Sequence, residues 1–368
     1  MALRTVNHEH AAPRKGRGAA INPEGRFEKI AREAVDDGWN TAPDEELPAL
    51  KTHVTIEHAK SIISRNSSPD IPFTQSINPY RGCEHGCIYC YARPSHAYVN
   101  LSPGVDFETR LFAKVNAAEL LRAELAKPGY RCEPIALGTN TDPYQPIERE
   151  WKVTRSVLEV LAEHQHPFTI VTKSALVERD IDIIAPMAAQ RMARVYLSVT
   201  TLDRELARKL EPRAAAPHRR LQTVKTLSAA GIPVGVMVAP IIPQLNDRDL
   251  EAILDAAAAN GAGSAGWVLI RLPREVAPLF REWLDAHYPQ RAEHVMSLIR
   301  QMRGGRDYDA AFGTRMRGEG EFAALFEKRF GIACRRLGLN RGREQTGLDT
   351  SRFRAPARAN DARQRSLF

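Results

Sequence analysis

The sequence predicts an α/β fold in which helices cover a mainly parallel β-sheet. Two features of the 368-residue chain support this prediction. Between residues 71 and 275, strand-like and helix-like segments alternate, as they do in repeated βαβ units. The strand-like segments are short, uninterrupted apolar runs, which is the pattern of strands that are buried on both faces of a parallel sheet. This pattern leaves open whether the six strands form an open barrel or a doubly wound sheet.

The predicted elements can be read along the chain in order. The strands are PFTQSINPY, EPIALGTN, PFTIVTKS, RVYLSVTT, IPVGVMVAPII and GWVLIRLP. The helices between them are AAELLRAELAK, TRSVLEVLAEH, DIDIIAPMAAQRM, HRRLQTVKTLSAAG and DRDLEAILDAAAANG, and the last two end at glycines suited to a C-cap. VAPLFREWLDAHYP, AEHVMSLIRQMR and FAALFEKRFGI then predict a helical extension over residues 276–340.

Both ends of the chain are predicted to be flexible and basic. Within a net charge of +8, residues 1–20 hold four Lys and Arg against one Glu, and residues 341–368 hold seven Arg against three acidic residues. Residues 1–70 are rich in charge, proline and glycine, with one candidate helix at RFEKIAREAVDDG, so regular structure is expected from about residue 72. Such basic tails attract polyanions such as DNA, although they also simply increase solubility.

The composition indicates a cytoplasmic protein that does not enter a membrane. There is no run of eighteen apolar residues, and no apolar segment near the first residues that would make a secretory signal. Five cysteines are too few for a disulfide framework in so long a chain. Cys83, Cys87 and Cys90 lie together directly after the first predicted strand. In a reducing compartment, such a cluster indicates metal ligands.

The cysteine loop lies where active sites are built in parallel β/α folds, after the carboxyl end of a strand. A structural zinc site takes four ligands, and the fourth would have to be His85, Cys132 or Cys334. A 4Fe–4S cluster that is held by three thiolates instead keeps one iron open for a further ligand. Gly82 and Gly86 would let the backbone curl around such a cluster. An iron–sulfur cluster is therefore favoured over zinc, and Cys334 is interpreted as a core thiol.

The CxxxCxxC spacing, with an aromatic residue before the third cysteine, resembles the signature of radical S-adenosylmethionine (SAM) enzymes. CIYCYAR, GTNTDPYQPIE, LEPRA and VGVMVAPIIP resemble the spore photoproduct lyase branch, which is also described as DNA repair photolyase-like, and within it a group of uncharacterised bacterial proteins. The resemblance covers residues 72–275. It implies a partial (β/α)6 TIM-like barrel, a 4Fe–4S cluster, SAM, and a reductase such as flavodoxin or ferredoxin.

The resemblance also implies roles for individual residues. Cys83, Cys87 and Cys90 would hold three irons, and SAM would bind the fourth. The residues that would contact SAM follow successive strands: Tyr89 at the adenine, Gly138, Thr139, Asn140 and Thr141 at the amino end, Lys173 at the carboxylate, Ser198 in the same pocket, and Val238 and Ala239 offering backbone to the adenine. A lysine suits its place because an ammonium group strongly stabilises a carboxylate in a cavity of low dielectric constant.

Four further residues are candidates for contact with substrate or for catalysis. Asp142 and Tyr144 follow the second strand, although Asp before Pro is also a common turn signal. Glu211 and Arg213 in LEPRA could pair to shape the pocket, or could form an ordinary ion pair at a helix end. Each residue therefore has a structural interpretation beside the functional one.

The chain departs from the lyase at Thr139, which lies where the lyase has a cysteine that donates hydrogen to the product radical. A threonine O–H bond is too strong to replace the thiol, and the nearby Cys132 precedes the strand. Spore photoproduct itself is therefore not the expected substrate. The last five residues, QRSLF, with Gln364, Leu367 and Phe368, resemble the peptide by which bacterial DNA repair proteins bind the sliding clamp.

The leading hypothesis is a radical SAM enzyme whose 5′-deoxyadenosyl radical abstracts hydrogen from an unidentified substrate, with modified or damaged nucleic acid as the first candidate. The second hypothesis is a radical SAM enzyme that acts on a protein or a small molecule. The third is a DNA-associated protein whose metal site is structural and which does not turn over SAM.

Overall fold

Ten strands and twelve α-helices make up the part of the chain that this computed structural model describes, residues 14–27, 50–341 and 347–357. The strands are β1 (His53–Glu57), β2 (Ile63–Arg65), β3 (Gln75–Ile77), β4 (Tyr80–Arg81), β5 (Arg110–Lys114), β6 (Ile135–Leu137), β7 (Phe168–Thr172), β8 (Ala193–Ser198), β9 (Val234–Ile241) and β10 (Ser264–Leu269).

The helices alternate with these strands and then continue beyond them. They are α1 (Asp106–Thr109), α2 (Ala117–Leu125), α3 (Glu148–Trp151), α4 (Val153–Glu163), α5 (Ile181–Ala189), α6 (Arg204–Leu210), α7 (Pro217–Ala229), α8 (Leu250–Ala259), α9 (Val276–His287), α10 (Ala292–Gln301), α11 (Thr314–Arg317) and α12 (Gly320–Leu337). Short 3-10 helices span Arg93–Val99, Ala175–Asp180 and Asp247–Asp249.

Six parallel strands form the main sheet, and they lie side by side in chain order. The order is β3, β6, β7, β8, β9 and β10, with β2 added antiparallel to β3 at one edge. A doubly wound sheet would reverse direction at a central strand, whereas a sequential order belongs to an open β/α barrel. All six predicted strands are confirmed. The sheet does not close within the described residues, so β2 and β10 are its two edges.

The strands form where predicted because their Val, Ile and Leu side chains are buried in a continuous core under the helices. The predicted C-terminal helices are also present. Of these, α12 packs against α8, with Arg329 2.6 Å from Glu251. Phe326 of α12 meets Trp267 of β10 with ring centroids 6.5 Å apart. The helical extension therefore covers the β10 side of the barrel.

The expectation that regular structure begins near residue 72 is wrong. β1 and β2 precede that point, and β1 pairs parallel to β5, from His53 beside Arg110 to Glu57 beside Lys114. With β4, these strands form a second, three-stranded sheet. Local sequence does not reveal β1, because its pairing partner lies more than fifty residues away. The candidate helix RFEKIAREAVDDG falls almost entirely outside the described residues.

Part of the predicted disordered tail is also ordered on the barrel. The Phe353 ring lies between Tyr130 and His166, with ring centroids 5.6 and 5.2 Å away. The backbone N–H of Arg354 donates to the carbonyl of His164 at 2.9 Å. The disorder expected over residues 341–368 is therefore wrong for residues 347–357. The QRSLF pentapeptide lies outside the described residues.

None of the helices in the described ranges combines the length and the apolar character that crossing a membrane would require.

Candidate functional site

The cysteine loop follows β4 and makes two successive turns. Cys83 and Cys87 are buried, Cys90 is half-buried, and all three are free thiols. The N–H of Gly86 donates to the carbonyl of Cys83 at 3.3 Å, and the N–H of Cys90 donates to that of Cys87 at 3.2 Å. These turns place the three thiols on one compact loop next to the carboxyl end of β3.

Glycines allow this loop to lie tightly against its neighbours, as the sequence predicts. Gly82 and Gly86 have φ of +71° and +67°, in the left-handed region. A Cβ atom on Gly82 would lie 2.6 Å from Leu111 Cδ2 and 2.8 Å from the Phe107 carbonyl. A Cβ atom on Gly86 would lie 2.8 Å from the Glu108 carboxylate. Both positions therefore exclude larger residues by packing as well as by backbone conformation.

A buried ion pair contacts the backbone of the cysteine loop and stabilises it. Arg93 lies 2.5 Å from Glu108, and both side chains are fully buried. The same guanidinium group donates to the carbonyls of Cys87 at 2.9 Å and Gly86 at 3.2 Å. Removing one partner of such a pair costs about 3–5 kcal/mol, because an uncompensated charge stays buried. Arg93 was not predicted as a site residue, although it lies within the CIYCYAR motif.

An N-terminal segment covers the other side of the loop; we call residues 14–27 the N-terminal brace. The N–H groups of Gly18 and Ala19 donate to the two oxygens of Glu108, both at 2.9 Å. A Cβ atom on Gly18 would lie only 1.9 Å from the carbonyl oxygen of Gly86. The brace is therefore in backbone contact with the cysteine loop, a contact that nothing in the local sequence signals.

Arg17 extends these contacts to the opposite side of the loop. Its guanidinium donates to Thr52 Oγ1 at 3.0 Å, and the Thr52 hydroxyl donates to Glu84 at 2.6 Å. Glu84 in turn pairs with Arg213 at 2.8 Å. A chain of polar contacts thus runs from the brace, through the cysteine loop, to the segment after β8.

Glu211 lies at the centre of a buried polar group beside the cysteines. It accepts hydrogen bonds from Tyr89 and from Thr200, the latter at 2.5 Å, and it pairs with Arg220 at 2.5 Å. Burial alone would raise the pKa of Glu211, but Arg220 and Lys173 hold it below its ordinary value. The predicted pair of Glu211 with Arg213 is therefore wrong, because the chain turns after Glu211 and directs Arg213 toward the cysteine loop.

Lys173 follows β7 and faces the same group. Its ammonium nitrogen lies 5.9 Å from the centre of the Tyr89 ring. Burial alone would lower the pKa of Lys173, but Cys87 and Glu211 outweigh this effect and raise it. A charged ammonium group is therefore held beside the cysteine loop, where the sequence analysis expected it.

The loop after β6 is held by a residue that the sequence analysis did not single out. Asn78 Oδ1 accepts from the N–H groups of Asn140 at 2.9 Å and Thr141 at 3.4 Å, and its amide donates to the Thr139 hydroxyl at 3.1 Å. Gly138 has a φ of +92°, and a Cβ atom there would lie 2.0 Å from a backbone carbonyl of β7. These contacts fix four of the predicted SAM-contacting residues in one conformation.

Asp142 connects the cysteine loop to β7. Its carboxylate accepts from the N–H of Lys173 at 2.7 Å and lies 3.3 Å from Nδ1 of His85. Burial raises the pKa of Asp142, yet His85 and the surrounding hydrogen bonds lower it to about 2. The fully buried Tyr144 donates from its hydroxyl to Asp180 at 3.0 Å. Asp142 and Tyr144 therefore hold neighbouring loops of the site together through their hydrogen bonds. A catalytic role for either residue stays a prediction.

Two hydroxyl groups engage the backbone at the end of β9. Ser198 donates to the carbonyl of Ala239 at 3.2 Å, and the Thr200 hydroxyl, which donates to Glu211, lies 3.2 Å from the same carbonyl. The buried Asn246 joins the strand ends further, because its amide donates to the carbonyls of Thr200 at 2.7 Å and Pro240 at 2.9 Å. The Ser198 hydroxyl therefore already has a backbone partner, and its contact with SAM stays a prediction.

The pairing of β9 with β10 is interrupted as its proline predicts. Val238 is paired with Trp267, and the register then shifts before Leu269 pairs with Ile241. The shift lies next to Pro240, which lacks the N–H that a regular ladder needs. Backbone groups near Val238 and Ala239 are therefore released from regular pairing at this point.

The other two cysteines lie away from the loop. Cys132 precedes β6, at the amino end of the sheet, and is half-buried. Cys334 lies in α12 and is buried in the core, as predicted. Neither could supply a fourth zinc ligand from these positions at the opposite end and the outer layer of the barrel.

The donors of the loop fit an iron–sulfur cluster by their chemistry. Burial, with repulsion from Asp142, raises the pKa of Cys83, and burial raises that of Cys87 to about 12. Thiolates in this place therefore need a metal-bearing partner to neutralise them. In the described part of the chain, no three His, Cys, Asp or Glu side chains form a group that could hold a metal ion directly. Three thiols on one loop, two of them buried, are the ligand type that an iron–sulfur cluster takes.

A segment of the C-terminal extension, residues 303–318, connects the two edges of the sheet. It follows α10, beyond β10, and Arg315 within it binds Asp70, beyond β2, at 2.7 and 2.5 Å. Phe312 is 59% exposed, with the Arg315 guanidinium 4.8 Å from its ring centre. We call residues 303–318 the bridge.

Beside the bridge, an aromatic ring and an arginine lie next to the third cysteine. Tyr91 donates from its hydroxyl to the carbonyl of Thr139, and the Arg271 guanidinium lies 4.7 Å from its ring centre. Arg271 also donates to the Tyr308 hydroxyl at 3.3 Å. The Tyr91 side chain is 43% exposed, so part of its ring surface is open to solvent. We call Tyr91, Arg271, Tyr308, Phe312 and Arg315 the mouth of the barrel.

Comparison with known proteins agrees with this architecture. Residues 77–257 match the model of the Radical SAM superfamily. An uncharacterized protein of Mycobacterium tuberculosis is 39% identical over 233 residues, which are 63% of this chain and 68% of that protein. An uncharacterized protein of Methanocaldococcus jannaschii is 28% identical over 238 residues, covering 64% of this chain and 84% of that protein.

Among solved structures, spore photoproduct lyase complexed with dinucleoside spore photoproduct superposes with a TM-score of 0.55 at 16% identity, over 78% of this chain and 80% of that one. This likeness shows a common fold. The fold and the cysteine loop define an α/β enzyme of the partial-barrel type. The chain belongs to the radical SAM superfamily, whose members use a 4Fe–4S cluster and SAM.

Proposed function

We propose that Cys83, Cys87 and Cys90 bind a 4Fe–4S cluster and that the enzyme uses SAM to abstract hydrogen from a nucleic acid. When bound, the cluster supplies the electron that cleaves SAM to a 5′-deoxyadenosyl radical. The observation that supports SAM turnover is Lys173, a half-buried ammonium group whose nitrogen lies 5.9 Å from the centre of the Tyr89 ring. A purely structural metal site would have no use for such a charge.

The chain's own residues would bind and orient SAM. Lys173 is placed to neutralise the carboxylate of SAM. Tyr89 is held by Glu211 and Thr200, so its ring is fixed next to the cysteines. The network around Asn78 fixes the loop after β6, where backbone N–H and carbonyl groups would meet the amino end of SAM.

The mouth of the barrel supports nucleic acid as the substrate. It combines arginines with the exposed aromatic rings of Tyr91 and Phe312, and such pairs bind phosphates and stack on bases. The lyase whose fold this chain shares has been solved with a dinucleoside spore photoproduct. The substrate here would be a different nucleic acid, since Thr139 replaces the hydrogen-donating cysteine. The clamp peptide and the DNA-binding basic tails remain part of this proposal.

The first test is anaerobic SAM cleavage. Reconstituted protein is mixed with dithionite and SAM, and 5′-deoxyadenosine is measured by chromatography. We expect product from the wild type and loss of at least ten-fold in Cys87→Ala, because two thiolates do not retain the cluster. A protein that holds zinc without iron, or an active Cys87→Ala variant, would contradict the proposal.

The second test addresses the substrate by measuring the affinity for single-stranded oligonucleotides with fluorescence anisotropy. Arg271→Ala should weaken binding about 5- to 30-fold, since it removes a phosphate contact or a stacking partner worth about 1–2 kcal/mol. The affinity should also fall as salt increases. Arg208→Ala, an exposed arginine on α6, is the matched control. Equal effects of the two substitutions would exclude the mouth as the binding surface.

A further inference from the structure

A cavity of about 600 Å³ lies against the cysteine loop, beyond the carboxyl ends of the strands. It is bounded by segments that follow three neighbouring strands, β6, β7 and β8, and by one residue of the loop. Its lining residues are His85, Tyr144, Pro146, Arg149, Ser174, Ala175, Leu176, Arg213, Ala214, Ala215 and Arg219. We propose that this cavity is the docking site of a small acidic electron-carrier protein, an inference that rests on the proposed function because it requires the cluster.

The lining of the cavity is cationic. It contains Arg149, Arg213 and Arg219, and the described residues that line it include no Asp or Glu. Arg213 and Arg219 each keep one ion pair, with Glu84 and Glu178, while 40% of each arginine side chain stays exposed. Arg149 is exposed and makes no ion pair within the described residues. The ion pairs hold two arginines in place and leave their outer faces free for an acidic partner.

The cavity reaches the cysteine loop directly. The buried His85 lies between Cys83 and Cys87 in the chain and forms part of the cavity wall. The N–H of Arg213 donates to the carbonyl of His85 at 3.3 Å, which ties the cationic wall to the loop. A protein bound in this cavity would contact the loop that carries the cysteines, with no other segment between them. Electron transfer between proteins requires such a close approach.

The same geometry argues against the cavity as a substrate site. Lys173 and Glu211 face the group around Tyr89, whereas the residues that follow each of them, Ser174 and Arg213 among them, line the cavity. The side chains that would meet SAM, Tyr89, Lys173 and Ser198, are therefore absent from the described lining of the cavity. A molecule in the cavity could pass an electron to the cluster but could not meet the radical.

The shape and the charge together fit an acidic protein surface. Pro146, Leu176 and Ala214 give the cavity apolar walls under its arginine rim. Such a patch steers an oppositely charged partner and then packs against its apolar contact residues. In the step itself, a reduced flavin or iron–sulfur carrier loses one electron and the oxidised cluster gains it, and no bond is made or broken.

The test compares a protein donor with a small one. The reconstituted holoenzyme is mixed with reduced flavodoxin or with dithionite, and the bleaching of the iron–sulfur absorption is followed by stopped flow. Arg149→Glu should slow reduction by flavodoxin about tenfold, because it reverses a charge at the rim, and should leave reduction by dithionite unchanged. The wild-type rate with flavodoxin should fall as salt increases. Arg208→Glu is the control with an equal change in net charge.

A rate with flavodoxin that is unchanged in Arg149→Glu, or equally slowed in Arg208→Glu, would overturn the docking site. So would a wild-type protein that dithionite reduces but neither flavodoxin nor ferredoxin reduces. Failure of the proposed function is distinguishable: the cluster would then bleach without yielding 5′-deoxyadenosine from SAM. Binding of phosphate or ATP to the cavity, with no competition against flavodoxin, would show that its ligand is a small anion and would also overturn the proposal.

Discussion

Glu211 shows how much of this site depends on a single buried carboxylate. Its carboxylate accepts hydrogen bonds from Tyr89 and Thr200 and pairs with Arg220. Lys173 lies close enough to lower its pKa. A buried ion pair contributes little net stability when intact, but its loss is costly. Glu211 therefore controls the position of Tyr89 whether or not it touches SAM.

Replacing Glu211 by Gln should destabilise the protein by about 3 kcal/mol, because Arg220 then carries an uncompensated buried charge. The pKa of Glu211 is lowered on folding, so its contribution is present above the unfolded pKa of about 4.3 and is lost as the pH falls through the folded value. The difference from wild type should therefore shrink in acid. Urea unfolding of the apoprotein, at neutral and at acidic pH, measures both effects.

The control for this prediction is Glu178→Gln, which breaks the exposed pair with Arg219 and should cost less than about 1 kcal/mol. The double variant Glu211→Gln/Arg220→Met should recover part of the lost stability, since it removes the orphaned charge. Equal losses of unfolding free energy in Glu211→Gln and Glu178→Gln would show that the buried pair contributes no more to stability than the more exposed one.

At the scale of elements, the N-terminal brace is the least expected part of the structure. It binds Glu108 through two backbone N–H groups and contacts the cysteine loop at Gly86. A segment that covers a metal-binding loop controls how often the loop opens to solvent. The brace should therefore protect the thiols and, in the holoenzyme, the cluster.

Gly18→Ala tests this role. The new Cβ atom would lie 1.9 Å from the Gly86 carbonyl, so the brace must move, at a cost of about 1–3 kcal/mol. Thiol modification of the apoprotein by a soluble disulfide reagent should become about tenfold faster, and reconstituted iron should be lost sooner in air. Gly347→Ala, where a Cβ atom meets nothing within 4 Å, is the matched control. Unchanged thiol reactivity in Gly18→Ala would disprove the protective role.

The elements that could be predicted are those defined by local pattern. Five of the six parallel strands are mainly apolar runs that stay buried in the sheet, so their own residues identify them, whereas β3 is the polar exception, with Gln75 and Ser76 before Ile77. β1 and the brace could not be predicted, because their partners, β5 and Gly86, are distant in the sequence. The partner of Glu211 was also mistaken, since Arg213 is nearer in the chain but Arg220, on α7, is the residue that meets it in space. These features depend on contacts between elements that are distant in the sequence, and local sequence patterns do not reveal such contacts.

At the scale of the whole molecule, the sheet has two edges, and the bridge joins them. Arg315 binds Asp70 with two hydrogen bonds, and the N–H of Gly313 lies 3.3 Å from the same carboxylate. The hydrogen bond from Arg315 lowers the pKa of Asp70. Because the mouth of the barrel includes Phe312 and Arg315, this one pair controls both the closure of the open side and the placement of the proposed binding residues.

Asp70→Asn should free the bridge without unfolding the barrel. Amide hydrogen exchange should rise several-fold in residues 303–318 and stay unchanged in β7 and β8, since only the local contact is lost. Wild-type protein should show the same local increase as the pH falls through the lowered pKa of Asp70, because protonation removes its charge.

Asp255→Asn, which breaks the exposed pair with Arg336 on the outer helices, is the control. Exchange that rises throughout the barrel would mean that the pair stabilises the whole fold, and exchange that does not change would mean that other contacts hold the bridge. In the expected case, oligonucleotide affinity should fall with the same variant, since the mouth residues lose their fixed positions when the two edges of the sheet are no longer tied together.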